Sequence, residues 1–206
     1  MDRNDLRKRL LKKTREQIAE SLSEKEVHII KTIKLIEDLD EVNNLLIENV
    51  LDWEKRNPSG NALRILAKLK LQLNNLENEK EEANQFIKEE MTSEMPEFSK
   101  IAGEIIAAKL LSEAGSKRKL AFIPSSTIQV LGAEKSLFNH LKKRGNCPKH
   151  GHIFNHPLLQ KLPKQKRGKA ARIISGKLSI AAKLDYFGKK SEKNLLEEVE
   201  NKISKL

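Results

Sequence analysis

The sequence predicts an all-α protein: an antiparallel coiled-coil hairpin of two long helices, followed by a basic helical unit. Two observations predict this class. Apolar residues recur every three or four positions over much of the chain, and one short turn separates two long runs of that pattern. We expect four segments, which are a connecting helix over 1–22, the coiled-coil hairpin over 23–95, an all-helical domain over 96–190 and a charged C-terminal helix or tail over 191–206.

Composition excludes several classes of protein. No apolar run in the chain approaches the ~18–20 residues of a membrane span, and no basic and then apolar leader opens it. The single cysteine, Cys147, has no intramolecular partner for a disulfide, which fits a reducing compartment. We therefore expect a cytoplasmic protein with no membrane partner.

Charge is distributed unevenly along the chain. Residues 1–115 hold 19 Lys and Arg against 23 Asp and Glu, a net charge of −4, whereas residues 116–206 hold 21 against 6, a net charge of +15. Between 116 and 190 the only acids are Glu134 and Asp185, against 18 basic residues. A solvated surface mixes both signs, so the second half favours a polyanionic partner such as RNA. The alternative is a protein–protein adaptor whose basic half docks an acidic partner without RNA.

The first long helix begins near residue 24. Ser23 is placed to cap it, and Glu26, three residues later, completes a capping-box pattern. Two apolar stripes follow, which indicates a helix buried on more than one side. The first stripe is Leu35, Leu39, Val42, Leu46 and Trp53, and the second is Ile29, Ile33, Ile36, Ile47 and Val50.

A turn over 57–60, Asn-Pro-Ser-Gly, separates this helix from a second one. The second helix carries a heptad seam, with spacings of four and three sustained over more than three repeats. The seam is Ala62, Leu66, Leu69, Leu73, Leu76, Lys80, Ala83 and Ile87. Lys80, its one polar residue, is expected to help fix the register. Such a hairpin leaves apolar surface exposed, so we expect self-association, with a plain spacer as the alternative.

After Pro96, one helix is expected from Phe98 to Leu111, ended by Gly115. Small residues along it let a neighbouring helix approach closely. A last long helix is expected from about 164 through Phe187. Its apolar side is Ala170, Ile173, Ile174, Leu178, Ile180, Ala181 and Leu184, and its basic residues point outward.

Between these two helices, residues 124–127 are expected to form a turn. A helix then opens over 132–138 and reaches about Lys143. Its apolar residues Leu137, Phe138 and Leu141 are expected to face a core. The helix start is made of Gly132 and Ala133, which allows close approach of another backbone and leaves N-terminal amides that can accept a phosphate.

The loop over 144–156 gathers Cys147, His150, His152 and His156. Their spacing has some likeness to a zinc site, but structural zinc ligands usually come as two separated pairs, so we predict no metal. Imidazoles in a basic loop suit contacts with exposed RNA bases, and a structural role for two of these histidines is the alternative. No hydrolase, phosphate-loop or metalloprotease motif occurs, so we expect no catalytic residue and no cofactor, with a histidine-based RNA enzyme as the remaining alternative.

Six sequence blocks of the second half resemble one known family. They are 112–116 (SEAGS), 124–135 (PSSTIQVLGAEK), 148–151 (PKHG), 156–157 (HP), 167–172 (RGKAAR) and 181–187 (AAKLDYF). In this order over about 75 residues they resemble the Nop domain, with the archaeal members of box C/D RNA-guided methylation particles most similar. The hairpin, including 36–40 (IEDLD), resembles the coiled-coil domain of the same family.

The resemblance implies a non-catalytic, all-helical module that binds ribonucleoprotein. Nop domains bind the composite surface of a kink-turn RNA and the small kink-turn-binding protein on it, and the coiled coil of the archaeal relatives self-associates. The implied role is a scaffold of box C/D-type particles in RNA-guided 2′-O-methylation of ribosomal RNA. Family members carry a further N-terminal domain that recruits the methyltransferase fibrillarin. This chain is expected to lack that domain, so fibrillarin stays a candidate partner without its usual docking domain.

Eleven residues of the acid-poor region are the candidates for the RNA or ribonucleoprotein surface. They are Lys135, Asn139, Lys142, Lys143, Lys149, His150, Lys164, Gln165, Arg167, Lys169 and Arg172. Glu134 is expected to cap or pair locally. The family's usual Ala-Leu-Phe-Arg is Ser-Leu-Phe-Asn over 136–139, so Asn139 stands in place of an RNA-facing arginine. Neighbouring lysines replace its charge but not its planar fork.

Overall fold

The structure is a computed structural model. It describes residues 24–206 and, before them, Arg7, Leu11, Thr14 and Arg15. The expected connecting helix over 1–22 lies almost entirely outside the described residues, and so does Ser23. Over 24–206 the chain forms α-helices, one short 3-10 helix and no strand, which confirms the all-α class.

The helices are α1 (Lys25–Glu54), α2 (Asn61–Glu94), α3 (Pro96–Ala102), α4 (Glu104–Ala114), α5 (Lys117–Phe122), α6 (Ser125–Val130), α7 (Glu134–Leu141), α8 (Pro157–Gln160), α9 (Lys164–Tyr186) and α10 (Leu195–Ile203). The 3-10 helix covers His152–Asn155. None of the helices formed by the described residues is long and apolar enough to cross a membrane.

Helices α1 and α2 form the expected antiparallel hairpin, closed by a turn in which Asn57 and Gly60 have positive φ angles of 51° and 57°. Every position of the expected α2 seam is buried or half-buried, and Leu66 and Ile87 are fully inside. Most of the remaining side chains of α2 are exposed. The heptad prediction is therefore confirmed for α2.

Only one of the two stripes on α1 faces the hairpin interior. Ile29, Ile33, Ile36 and Val50 of the second stripe are buried, whereas Ile47 is 41% exposed. The first stripe is partly solvent-facing: Leu35 and Val42 are about half exposed, and Leu39, Leu46 and Trp53 are half-buried. Helix α1 packs against both α2 and α4, so it is covered on more than one side, but Leu35, Val42 and Ile47 remain exposed.

A polar layer fixes the register of the hairpin. Lys80 Nζ lies 2.8 Å from Asp40 Oδ1 across the seam, and Asn43 Nδ2 donates to Glu77 Oε2 at 3.1 Å. Asn43 is buried, and a buried polar residue in a coiled coil penalises registers that leave it unpaired. This arrangement agrees with the role expected of Lys80.

Two short helices stand where one was expected after Pro96. Gly103 has a φ angle of +78°, outside the helical region, and separates α3 from α4. Since only glycine adopts this conformation without strain, the break is encoded locally, although the apolar spacing runs through it. Gly115 ends α4 in a left-handed conformation, as expected.

The base of the hairpin and the helices after it share one core. Helix α4 packs against both α1 and α2, and its Ala107 and Ala108 are fully buried, which allows the close approach expected of small residues. Met91 and Met95 lie in the same buried cluster as Phe98. The four segment limits given above remain predictions.

The side chain of Glu26 in α1 contacts the second half of the chain, which the capping-box pattern does not predict. The residue before α1 is Glu24, which makes no side-chain cap hydrogen bond. Glu26 Oε2 instead accepts the backbone N–H of Lys117 at 2.9 Å, at the start of α5. The carboxylate thus lies at the positive end of another helix, 91 residues further along the chain.

Helix α9 is the centre of the second half. Its buried face is Ala170, Ala171, Ile174, Ser175, Leu178, Ala181 and Ala182, and it packs against α3, α5, α6 and α10. Ile180, expected on this face, is 45% exposed because it lies on the opposite side of the helix from Leu178 and Ala182. Lys166, Lys169, Arg172 and Lys183 point outward as expected.

The C-terminal segment is part of the core. Leu195, Val199 and Ile203 form the buried face of α10, and Lys177 of α9 is ion-paired with Glu198.

Residues 124–127, expected to be a turn, instead lead into helix α6. The carbonyl of Pro124 accepts the N–H groups of Thr127 and Ile128, which starts α6 directly after the proline.

Asp185, near the end of α9, caps α3. Its two carboxylate oxygens accept the N–H groups of Glu97 at 3.0 Å and Phe98 at 2.8 Å. No side chain at the start of α3 itself supplies a cap hydrogen bond. Burial raises the pKa of Asp185, and the two backbone hydrogen bonds offset this rise only in part.

Replacing Asp185 with alanine is expected to lower the free energy of unfolding by about 0.5–2 kcal/mol, the usual cost of losing a helix cap. Asp185→Asn keeps one acceptor oxygen and is expected to cost less. Lys183→Ala, at an exposed position on the same last turn of α9, is the matched control and is expected to change stability by no more than about 0.5 kcal/mol. Urea denaturation followed by circular dichroism measures all three, and equal stability of Asp185→Ala and Lys183→Ala would contradict the capping role.

Candidate nucleic-acid interface

Three hydrogen bonds, two of them between backbone groups, join the loop before α8 to α6 and to Leu131 directly after it. Gln129 Nε2 donates to the carbonyl of Lys149 at 2.6 Å, and the carbonyl of Gln129 accepts the N–H of Gly151 at 2.9 Å. The N–H of His152 donates to the carbonyl of Leu131 at 2.8 Å. These contacts hold Lys149 and His150 in a defined position on a segment that contains little helix.

Gly151 is required for this docking. A Cβ atom at this position would lie 1.8 Å from the carbonyl oxygen of Leu131, which no side chain can tolerate without a backbone shift. Gly132 is a second tight position, with a φ angle of +84° and the His152 ring within 2.4 Å of where its Cβ would stand. The close approach expected at 132–133 is therefore made by a side-chain ring, and the close backbone approach occurs at Gly151.

His156 and His152 have structural partners. His156 is buried, its Nε2 donates to the carbonyl of Ile101 at 2.7 Å, and its Nδ1 accepts the N–H of Leu158 at 3.2 Å. Burial lowers the pKa of His156, so the ring is neutral at pH 7. His152 Nε2 lies 3.2 Å from Glu113 Oε1. A structural role for two histidines of the loop, the alternative to RNA contact, applies to these two.

His150, Phe154 and Arg167 form a stacked group. The His150 and Phe154 rings lie 4.6 Å apart at 22°, and the Arg167 guanidinium carbon lies 5.4 Å from the Phe154 centroid. Arg167 Nε also donates to the carbonyl of Leu162 at 2.8 Å. Burial lowers the pKa of His150, and the charges of Arg167 and Lys149 lower it further. Arg167 therefore supports the ring on which His150 stacks, and the lowered pKa favours the neutral form of His150.

The first turns of α9 complete this part of the surface. The aliphatic part of Lys149 lies against Gly168, 3.5 Å from where a Cβ atom would stand, which brings the loop onto the helix. The exposed candidates on α9 are Lys164, Gln165, Lys169 and Arg172. The structure thus gathers seven of the eleven candidates into one set, the α9 set: Lys149, His150, Lys164, Gln165, Arg167, Lys169 and Arg172.

The other four candidates, Lys135, Asn139, Lys142 and Lys143, belong to α7 and the residues directly after it, and form the α7 set. Lys142 Nζ lies 4.1 Å from the Phe138 centroid, and Lys143 has a φ angle of +57° just beyond the helix. No hydrogen bond or ion pair between described residues joins the α7 set to the α9 set.

The expected core role of the apolar residues of α7 is wrong. Phe138 is 56% and Leu141 is 71% exposed, Leu137 is half-buried, and no residue of this helix is fully buried. The helix projects from the core, so it presents an apolar strip beside its lysines. Helical spacing places these apolar residues on one face of the helix. It cannot show whether another element covers that face.

Both acids of the basic region are engaged internally. Asp185 caps α3, as described above, and Glu134 Oε1 accepts the N–H of Gly132 at 2.8 Å, which confirms its expected local role. Because this carboxylate already lies at the start of α7, the expected phosphate contact with these amides would compete with it. Neither acid therefore neutralises the exposed cations of the two sets.

The Cys and His residues of the loop do not converge. Among the described residues, no group of three or more His, Cys, Asp or Glu side chains is arranged to hold a metal ion. Both ring nitrogens of His156 are engaged by backbone groups, and Cys147 is exposed. Phe154, which contacts both His150 and Arg167, is not among the residues predicted from the sequence. Its only signal was an aromatic residue in a basic loop.

Comparison with known proteins shows that the chain is similar to members of one protein family. A protein-family model described as "Nop: snoRNA binding domain, fibrillarin" matches residues 9–205. An uncharacterised NOP5 family protein of Methanocaldococcus jannaschii is 42% identical over 144 residues, covering 70% of this chain and 35% of that protein. Nucleolar protein 56 of Dictyostelium discoideum is 36% identical over 182 residues, covering 80% and 34%. This chain thus spans about a third of the length of these relatives.

A solved structure agrees with these matches. The crystal structure of a fibrillarin/Nop5p complex contains a chain that matches with a TM-score of 0.74 and 32% sequence identity. The match covers 98% of this chain and 78% of that one. The likeness therefore includes both the hairpin and the basic half, in the same arrangement.

Gly151→Ala is expected to lower the free energy of unfolding by about 1–3 kcal/mol, because the added methyl group forces the loop away from Leu131. Gly176→Ala, in the middle of α9, is the matched control. A Cβ atom there meets nothing within 4 Å, so helix propensity alone is expected to raise stability, by up to about 1 kcal/mol. Thermal unfolding of both variants measures the difference, and a Gly151→Ala protein as stable as wild type would show that the close approach is not required.

Proposed function

The chain belongs to the Nop family, and on that premise we propose that it is a non-catalytic scaffold of a box C/D-type ribonucleoprotein. It binds a kink-turn RNA together with the small kink-turn-binding protein already on that RNA. In this way it supports RNA-guided 2′-O-methylation of ribosomal RNA, as a protein that positions other components.

One observation carries the proposal. Most cations of both sets face solvent, while the two acids of the same region accept backbone N–H groups. Lys135, Lys142, Lys143, Lys149, Lys164, Lys169 and Arg172 are exposed, and none forms an ion pair with a described residue. Leaving so many like charges unpaired is unfavourable in isolation, and phosphates are the partner that compensates them.

The two sets suit different parts of a composite partner. Helix α7 combines lysines with exposed Phe138 and Leu141, so it suits a surface where RNA and protein meet. The α9 set combines cations with the neutral ring of His150, which suits phosphates next to an exposed base. Asn139 offers a hydrogen bond where relatives of this family usually place an arginine, so the lysines of α7 supply the charge.

Self-association through the hairpin is the second part of the proposal. The exposed apolar residues of the hairpin are Leu35, Val42, Leu45, Ile47, Leu51, Leu63, Ile65, Leu71 and Phe86. Exposed apolar residues in such number on one helical hairpin are typical of a surface that contacts another protein chain. A second copy of the chain, with an equivalent hairpin, buries such residues on both sides of a symmetric interface.

Fibrillarin is a further partner under this proposal, because the matching solved structure is a fibrillarin/Nop5p complex. The segment expected to lead towards a fibrillarin-binding domain, 1–22, lies almost entirely outside the described residues. We therefore propose recruitment of the methyltransferase as a property of the assembled particle. The cytoplasmic location expected from the sequence likewise remains a proposal.

An electrophoretic mobility assay tests the RNA proposal. A box C/D kink-turn RNA is mixed with the small kink-turn-binding protein, and adding this chain is expected to give a further shift at moderate salt. Lys149→Ala and Lys169→Ala are each expected to weaken binding and to reduce the slope of log affinity against log salt by about 0.7–0.9 per lost phosphate contact. Arg167→Lys is expected to weaken it as well, because lysine lacks the fork that reaches Leu162 over Phe154.

Lys68→Ala is the matched control, since this lysine is exposed on α2 and forms no ion pair with a described residue. It is expected to leave affinity and salt slope unchanged. No further shift with the small protein bound would contradict the proposal. Binding to an acidic protein that is unaffected by RNA would support the adaptor alternative instead.

Light scattering at micromolar concentration tests self-association. The wild-type protein is expected to have twice the 23.5 kDa mass of one chain. Leu35→Lys combined with Val42→Lys places two charges on the exposed stripe of α1 and is expected to give the monomer mass. Leu141→Lys, at an exposed apolar position of α7, is the control and is expected to remain dimeric. A monomeric wild-type protein would rule out this part of the proposal.

A further inference from the structure

Three aromatic side chains meet at the end of α9 that is remote from the α9 set. Phe122 ends α5, and Tyr186 and Phe187 end α9. The centroids of Phe122 and Tyr186 lie 5.7 Å apart, those of Phe122 and Phe187 6.3 Å, and those of Tyr186 and Phe187 5.1 Å. Six Phe, one Tyr and one Trp are all the aromatic residues of the chain, so this group, the aromatic trio, holds three of eight.

The trio is exposed although its members touch one another. Phe122 is 61%, Phe187 58% and Tyr186 36% exposed. All three contacts are edge-to-face, with interplanar angles of 73–83°. Each edge-to-face contact covers one ring face, so the three contacts leave three of the six faces uncovered by the trio itself. Ring faces are the surfaces on which a planar group stacks. A contiguous exposed aromatic group in a folded chain marks a contact surface.

Cations lie beside the trio on both helices that supply it. Arg118 and Lys119 precede Phe122 by four and three residues on α5, and Lys183 precedes Tyr186 and Phe187 by three and four on α9. Residues three and four apart lie on the same face of a helix. Arg118, Lys119 and Lys183 are exposed, and none of them forms an ion pair with a described residue.

The acids near the trio are occupied, with one exception. Asp185 lies next to Tyr186 in the chain, but its carboxylate turns inward to cap α3. Tyr186 and Arg118 line a cleft of about 530 Å³ that also contains Glu24, Glu26 and Glu94. Glu26 accepts the N–H of Lys117, and Glu94 is ion-paired with Lys117 and Lys25, which leaves Glu24 as the one exposed acid there.

We propose that the aromatic trio, with Arg118, Lys119 and Lys183, is a second RNA-binding surface that takes a single-stranded segment. Bases stack on the open ring faces, and the three cations contact the phosphates between them. Aromatic rings beside unpaired cations are the combination that binds single strands with little sequence preference. This inference rests on the proposed function, since it assumes that RNA is the partner of the basic half.

The position of the trio separates it from the interface already described. Arg167 and Tyr186 lie 19 residues apart on α9, which at 1.5 Å per residue is about 28 Å. A base stacked on Phe187 therefore belongs to a different segment from one that contacts His150. The chain would bind a structured element at one end of α9 and an unpaired strand at the other.

Fluorescence anisotropy tests the surface with a labelled oligouridylate of 12 nucleotides and the whole chain. Phe122→Leu combined with Phe187→Leu keeps apolar bulk but removes two rings, and the Kd is expected to rise about tenfold or more. Phe122→Tyr combined with Phe187→Tyr keeps the rings and is expected to bind as wild type does. Phe86→Leu, at the exposed phenylalanine of the hairpin, is the matched control and is expected to have no effect.

Three outcomes would overturn the inference: no binding by the wild-type chain, an unchanged Kd for the leucine pair, or equal loss in the leucine and tyrosine pairs. An unchanged Kd for the leucine pair would indicate that the rings serve an apolar protein contact. The leucine pair is also expected to retain the further shift of the kink-turn complex. If wild type gives no such shift, the proposed function fails, whereas loss of oligouridylate binding alone reports on the trio.

Discussion

Close packing of the alanine-rich face of α9 is the constraint on which the rest of the second half depends. Ala170, Ala171, Ala181 and Ala182 are fully buried, so α3, α5 and α6 approach the helix closely. Asp185 then caps α3 from the end of α9, and α3 continues directly from the hairpin. One helix thereby fixes the hairpin base, the loop over 144–156 and the C-terminal helix around a single core.

The charged residues of the two halves differ in what they contact as well as in their net charge. In the hairpin, acids and bases neutralise one another, as in the pair of Lys80 with Asp40 and that of Lys70 with Glu54. In the second half, Asp185 and Glu134 accept backbone N–H groups and leave the exposed lysines unopposed. Under the proposed function, phosphates offset the mutual repulsion of these unpaired cations.

The two ends of the molecule have different exposed apolar surfaces. The hairpin exposes aliphatic residues in stripes, which suits another helix, whereas α7 and the aromatic trio expose rings and apolar side chains beside cations, which suits RNA or a ribonucleoprotein. Arg167 and Phe154 show how rigid support is built for one such surface. The arginine is held by backbone carbonyls and covers the ring on which His150 stacks, and that ring belongs to the short 3-10 helix His152–Asn155.

From the sequence one can predict the helical class, the turn at 57–60, the α2 seam and the charge separation, because helical period, turn residues and net charge are local properties of the chain. The sequence also supplied the candidate residues through the family motifs, and their role in binding is still a prediction. The folded structure was needed to show which stripe of α1 is covered, that α7 projects from the core, and that Asp185 and Glu26 cap distant helices. Each depends on an element far away in sequence, and an apolar period marks a face without showing what, if anything, packs against it.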